Sequence, residues 1–169
     1  HEHMARYAGA KTVDLICFNF GYLPGGNHEI ATRAETSVQA VEAGLSLLKS
    51  GGMMCLCIYS GGDTGFEEKN RLMEYLKNLP AQYERQIYLV LSATTKYKDL
   101  IEITDIYDEF CDFHLIFTKL DETSAYGNIL NIKLHTGAQL SYVTTGQNVP
   151  DDIEVVDTQK LVKLLLGGR

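Results

Sequence analysis

The sequence predicts an α/β fold: a single three-layer-like domain in which five parallel strands form one sheet and helices make the crossovers. Three observations carry that reading. Short apolar runs alternate regularly with stretches of helical period, the pattern that builds a parallel sheet. The run Ile87-Tyr88-Leu89-Val90-Leu91-Ser92 is unbroken and only six residues long, as expected of a strand covered on both faces at the middle of such a sheet. The chain has 169 residues, 45% of them hydrophobic and 22% charged, which suits one ordinary globular domain spanning 1–169.

Taken in order, residues 1–8 suit a short helix and 13–20 a first strand, ended by the breaker cluster Gly21-Tyr22-Leu23-Pro24-Gly25-Gly26. A helix opening at Thr32 or Ala34 runs to about Lys49 with Val38, Val41, Leu45 and Leu48 on one face, and Ser50-Gly51-Gly52 stops it. Residues 53–59 form the second strand. Phe66, Leu72, Met73, Leu76 and Leu79 mark the next helix, closed by Pro80. After the middle strand come a helix near 99–110, a strand at 113–118, a helix at 124–136 stopped by Gly137, a strand at 140–145, and a last helix capped by Asp157. The four crossover helices are expected on one side of the sheet. The opposite side is left to the short first helix and the last one, an under-covered face that points to a homodimer.

A formal charge of −7 and a pI near 5.2 argue against nonspecific binding to nucleic acid or to an anionic membrane, since the long-range field repels both. No run approaches the length of a membrane span and the start His1-Glu2-His3-Met4 has no signal-peptide pattern, so a cytoplasmic protein from recombinant expression is expected. Cys17, Cys55, Cys57 and Cys111 contain no C-x-x-C pair. They are expected to be reduced, structural and mostly buried beside strands, with no metal. His1 and His3 suit a frayed start, and no Ser or Cys can be placed beside His114 or His135 from sequence.

Two stretches carry chemistry. In the first, Asn19-Phe20-Gly21-Tyr22-Leu23-Pro24-Gly25-Gly26 with Asn27-His28, then Ile58-Tyr59-Ser60-Gly61-Gly62-Asp63-Thr64-Gly65 with Glu67-Glu68-Lys69, residues 1–85 resemble a class I S-adenosylmethionine-dependent methyltransferase family, rRNA-methylase-like and linked to the tRNA wobble uridine. The resemblance implies a corner in which Asn19, Tyr22 and His28 face acceptor and cofactor. Without it, the same residues are ordinary turn formers at a strand end.

In the second, Leu91-Ser92-Ala93-Thr94-Thr95-Lys96, Phe117-Thr118-Lys119-Leu120-Asp121-Glu122-Thr123 and Tyr142-Val143-Thr144-Thr145-Gly146-Gln147 make residues 86–169 resemble the carboxy-terminal part of the flagellar GTPase of the signal-recognition-particle class. That implies guanine binding by Thr118, Lys119, Asp121, Thr145 and Gly146: the Asp121 carboxylate accepts from the base, the Lys119 stem packs over the ring, and the Thr144-Thr145-Gly146-Gln147 loop closes over it. By itself, Thr-Lys-Leu-Asp at a strand end is a weak signal.

Neither resemblance is complete. The chain has no G-x-G-x-x-G run for a methyl donor and no G-x-x-x-x-G-K-[ST] loop for a triphosphate. The expectation is therefore a Rossmann-like/P-loop-like hybrid, an engineered chimera joined between about 80 and 87. It would have no cofactor, no catalysis, and vestigial sites only. Residual guanine-nucleotide binding and methyltransferase activity are the alternatives.

Overall fold

The computed structural model describes residues 1–21, 32–60 and 62–167. The chain divides into two compact units, His1–Ala81 and Gln82–Arg169. It is not built on one five-stranded sheet. The first unit holds a two-stranded parallel sheet and the second a four-stranded one, in the order β3-β4-β5-β6. The expectation of a β3 paired on both sides is corrected accordingly: its one partner among the described residues is β4.

In the first unit, a short 3-10 turn Met4–Arg6 precedes β1 (Val13–Asn19), α1 (Ala34–Leu47), β2 (Leu48–Cys57) and α2 (Gly62–Lys77). The core face of β1 and β2, with Phe18 buried and Ile16, Met54 and Leu56 half-buried, packs on Ala40 and Val41 of α1 and Leu72 of α2. Small residues let α1 lie close: a Cβ at Gly44 would sit 2.6 Å from Met54 Cε and 3.3 Å from Ile16 Cδ1. The expected stop at Ser50-Gly51-Gly52 is not a loop. Gly51 adopts φ 77°, a conformation open to glycine without a Cβ penalty, and the chain passes from α1 straight into β2 with a register shift opposite Val13 and Leu15.

In the second unit come β3 (Tyr88–Ser92), α3 (Tyr97–Asp108), β4 (His114–Thr118), α4 (Gly127–Thr136), β5 (Gln139–Thr144), β6 (Ile153–Val155) and α5 (Thr158–Leu165). Leu89, Leu91, Leu115, Phe117 and Val143 face a cluster with Leu100 of α3, Ile129 and Ile132 of α4, and Leu161 of α5. Asp157 caps α5 as expected, accepting from the Gln159 and Lys160 amides at 2.8 and 3.2 Å, and Gly137 ends α4 at φ 70°. The short antiparallel strand β6 is an addition to the expected set.

The run 87–92 is covered on one face only. Leu89 and Leu91 point inward, whereas Tyr88 is 36% exposed and Val90 57%. The two helices expected on the far side pack elsewhere: Met4 of the first turn joins the cluster of α1 and α2, and Leu161 of α5 that of α3 and α4. Each sheet therefore has one face without a helix among the described residues. No described helix is long and apolar enough to cross a membrane.

Candidate functional site

In the second unit the carboxyl ends of β3, β4 and β5 come together, the place where an α/β sheet presents ligand-binding loops. The three corners are tied by named bonds. The Ala93 amide donates to Thr118 O at 2.9 Å and Thr118 Oγ1 to Leu91 O at 3.4 Å, fixing the end of β4 beside that of β3. The Lys119 amide donates to Thr144 Oγ1 at 3.2 Å, fixing it beside β5.

Lys119 has φ 60° and ψ 41°, the left-handed region, so the chain reverses sharply as it leaves the strand. A 3-10 turn, Leu120–Glu122, follows. Leu120 is buried and anchors the turn in the core, which leaves Asp121 exposed on the outside. Its carboxylate has no protein partner among the described residues, and a carboxylate in that condition is an acceptor for a ligand's N–H donors. Lys119 Nζ lies 3.7 Å from Glu122 Oε2, an exposed pair that holds the lysine stem over the turn only loosely.

The Thr145-Gly146 loop is built around Asp152. The Thr145 amide donates to Asp152 O at 2.9 Å and the Asp152 amide to Asn148 O at 2.8 Å, while the Asn148 amide donates to Asp152 Oδ2 at 2.6 Å. A Cβ on Gly146 would collide with the Asp152 carboxylate, so a larger residue there would displace the side chain that accepts from the Asn148 amide. The structure thus brings Thr118, Lys119, Asp121, Thr145 and Gly146 to one edge of one sheet. Thr144 belongs to the Thr144-Thr145-Gly146-Gln147 stretch singled out in the sequence, but nothing in the sequence shows that its hydroxyl joins the two loops.

In the first unit Asn19 ends β1, exposed, in register with Cys57. The corner beyond it is stapled at its base: the Gly21 amide donates to Thr32 Oγ1 at 2.6 Å and the Thr32 amide to Gly21 O at 3.0 Å. Tyr22 and His28 lie outside the described residues. Sequence also gave no sign of a buried pair between α1 and α2, Ser37 Oγ donating to Glu68 Oε1 at 2.5 Å, because its members stand 31 positions apart on two helices.

Two further expectations are corrected. Cys17, Cys55 and Cys57 are exposed and Cys111 half-buried, because the outer face of the β1–β2 ribbon has no helix on it among the described residues. And His114 does meet a serine: its Nδ1 lies 3.1 Å from Ser141 Oγ, on the amino-terminal side of the sheet, away from the Lys119–Asp121 corner. A concavity of about 190 Å³ opens there beside Tyr88 and Tyr142.

Similarity to known proteins falls on both units. The Bacillus subtilis flagellar biosynthesis protein FlhF is 35% identical over 100 residues, which are 59% of this chain and 27% of that protein. An Arabidopsis thaliana chloroplastic tRNA (mnm(5)s(2)U34)-methyltransferase is 40% identical over 68 residues, 40% of this chain and 25% of that protein. The chain thus spans about a quarter of the length of these two curated relatives. A crystal structure of FlhF complexed with GTP and magnesium superposes with a TM-score of 0.60 at 23% identity, over 96% of this chain and 64% of that one, and shows a shared α/β fold. The chain therefore combines methyltransferase-like and FlhF-like character. The family described as putative rRNA methylase matches residues 1–101, through β3 and into α3. With well over half its length inside that match, the chain belongs to the putative rRNA methylase family.

Proposed function

We propose that the chain is a recombined two-parent scaffold that turns over neither GTP nor a methyl donor and that recognises a guanine base weakly through its second unit. The observation that supports base recognition is the link from the Lys119 amide to Thr144 Oγ1, which sets Asp121 and the Thr145-Gly146 loop side by side. A base held this way contributes hydrogen bonds from Asp121 and contact with the Lys119 stem. It gains no charge-assisted phosphate contacts, which supply much of nucleotide affinity, because no phosphate-cradling glycine-lysine motif occurs in the 169 residues. Affinity of about millimolar, roughly 4 kcal/mol, is the scale expected.

Turnover of either kind needs a phosphate or a methyl group placed and stabilised against the attacking atom. Neither motif for that is present in the sequence, and likeness of fold does not supply it. The joint near 80–87 coincides with the division between the two compact units, which supports a deliberate recombination of fragments.

Titration calorimetry with GDP and with S-adenosylmethionine on one preparation tests the proposal. Weak GDP binding that disappears in Asp121→Ala, together with silence toward S-adenosylmethionine, is expected. Micromolar GDP binding would indicate a competent nucleotide module, and micromolar S-adenosylmethionine binding would indicate a methyltransferase centred on Asn19; either would overturn the scaffold reading.

A further inference from the structure

The concavity of about 190 Å³ beside Tyr88 and Tyr142 lies at the amino-terminal ends of the parallel strands of the second sheet, and every residue lining it belongs to the second unit. It is at the opposite strand ends from the Lys119–Asp121 corner. A fault in the ladder builds it. β4 and β5 pair Leu115 with Leu140 and Ile116 with Tyr142, so Ser141 is an extra residue, as in a bulge, and bulges re-aim side chains. Leu115 and Val143 point into the core, whereas Ser141 and Tyr142 both turn to the bare face. There Ser141 Oγ lies 3.1 Å from His114 Nδ1, and the Tyr88 ring stands 5.5 Å from the imidazole and 6.1 Å from the Tyr142 ring.

We propose that this concavity binds one ring of a neutral sugar, a ligand of the pyranose class. The lining has no carboxylate, ammonium or guanidinium group, so a charged ligand would find no partner there, and an unpaired charge is costly to desolvate. The hydrogen-bonding groups suit hydroxyls. In a neutral His114–Ser141 pair one member donates to the other, and either tautomer keeps one donor and one acceptor for a ligand: Nε2–H with the Oγ lone pairs, or the serine O–H with bare Nε2. A hydroxyl is donor and acceptor at once and matches both arrangements. The exposed Gln86 and Gln139 each add a carbonyl and an NH2 group, enough for further hydroxyls on the same ring.

Shape separates a sugar from a flat aromatic. A flat ring held between two others needs parallel walls about 7–8 Å apart, twice the contact distance of carbon atoms. The Tyr88 ring is tilted 56° to Tyr142 and 49° to His114, so the walls form an angled cup instead. The C–H groups of a puckered ring rest on such aromatic faces while its hydroxyls reach the polar rim. The volume is below the roughly 300–1,000 Å³ of drug-sized sites, which limits the occupant to a single ring.

The test titrates the full isotope-labelled chain with the methyl glycosides of glucose, galactose and mannose while backbone amide shifts are followed by NMR. At least one is expected to bind saturably with a Kd of about millimolar, the scale of a small open contact, and to shift the amides of Tyr88, His114, Ser141 and Tyr142. Ser141→Ala and Tyr142→Leu should each weaken that binding about three- to tenfold, the size of one hydrogen bond or one aromatic contact. Lys98→Ala, with its side chain exposed on α3, should bind as wild type. GDP should leave the sugar-induced shifts in place, which separates this site from the guanine corner. Ser141→Ala is the milder change and carries the test if Tyr142→Leu prevents folding, with circular dichroism as the check. No saturable shift with any of the three glycosides, wild-type affinity in Ser141→Ala, displacement by GDP, or phenol binding at the same amides more tightly than every glycoside would overturn the proposal.

Discussion

Lys119 holds its backbone at φ 60° and ψ 41°, a region that costs an L-residue about 1–2 kcal/mol. Glycine escapes that cost but gives back about 0.5–1 kcal/mol in chain entropy, and the exposed pair with Glu122 is worth little. Lys119→Gly should therefore leave the denaturant midpoint nearly unchanged or slightly raised, while guanine binding weakens because the stem over the ring is gone. A large loss of stability would show that the lysine side chain builds the turn itself. A second residue-level test concerns Cys55, whose thiol is held above its ordinary range by burial first and by Cys57 second. The thiolate is the nucleophile, so a raised value means less of it at neutral pH. Alkylation of Cys55 followed by mass spectrometry should reach its midpoint at a higher pH than that of an unperturbed cysteine thiol; a midpoint no higher than that would contradict the effect of burial and of Cys57. At this scale much of the site was legible, because Thr118, Lys119, Asp121, Thr145 and Gly146 announce themselves in short local motifs. The link made by the Thr144 hydroxyl and the pairing of Ser37 with Glu68 were not, since each depends on a partner supplied by another element.

Among elements, α1 and α2 are joined at their amino-terminal parts by Ser37 Oγ and the 4% exposed Glu68. Ser37→Ala removes a donor from a buried carboxylate, a change that costs about 1–3 kcal/mol. The unfolding midpoint should fall accordingly, and an unchanged midpoint would mean the pair is incidental. Helices and strands with a strong period were readable from sequence, and caps such as Asp157 and Gly137 fell where their chemistry placed them. Three features were not. The helix-to-strand passage at Gly51 looks like a loop because Ser-Gly-Gly is ordinarily a stop. β6 is only three residues long and follows a Pro-Asp-Asp corner. The unbroken apolar run of β3 suggests burial on both faces, yet a continuous apolar run does not by itself say which face has a neighbour.

For the molecule as a whole, the sequence showed two kinds of text and the structure shows two compact units, but the family match runs on to residue 101, beyond the expected joint. One cooperative calorimetric transition is still expected: neither unit, with two or four strands and one uncovered sheet face, has much surface with which to stand alone. Two well-separated endotherms would contradict it. The central claim is that a guanine corner persists without a phosphate grip, and the affinities of guanosine, GMP, GDP and GTP measured side by side test it most directly. If the base alone is held, all four bind with the same weak affinity, about millimolar, and Asp121→Ala removes them together. Affinity that rises steeply from guanosine to GTP would show that the chain grips phosphate after all, and would contradict the account.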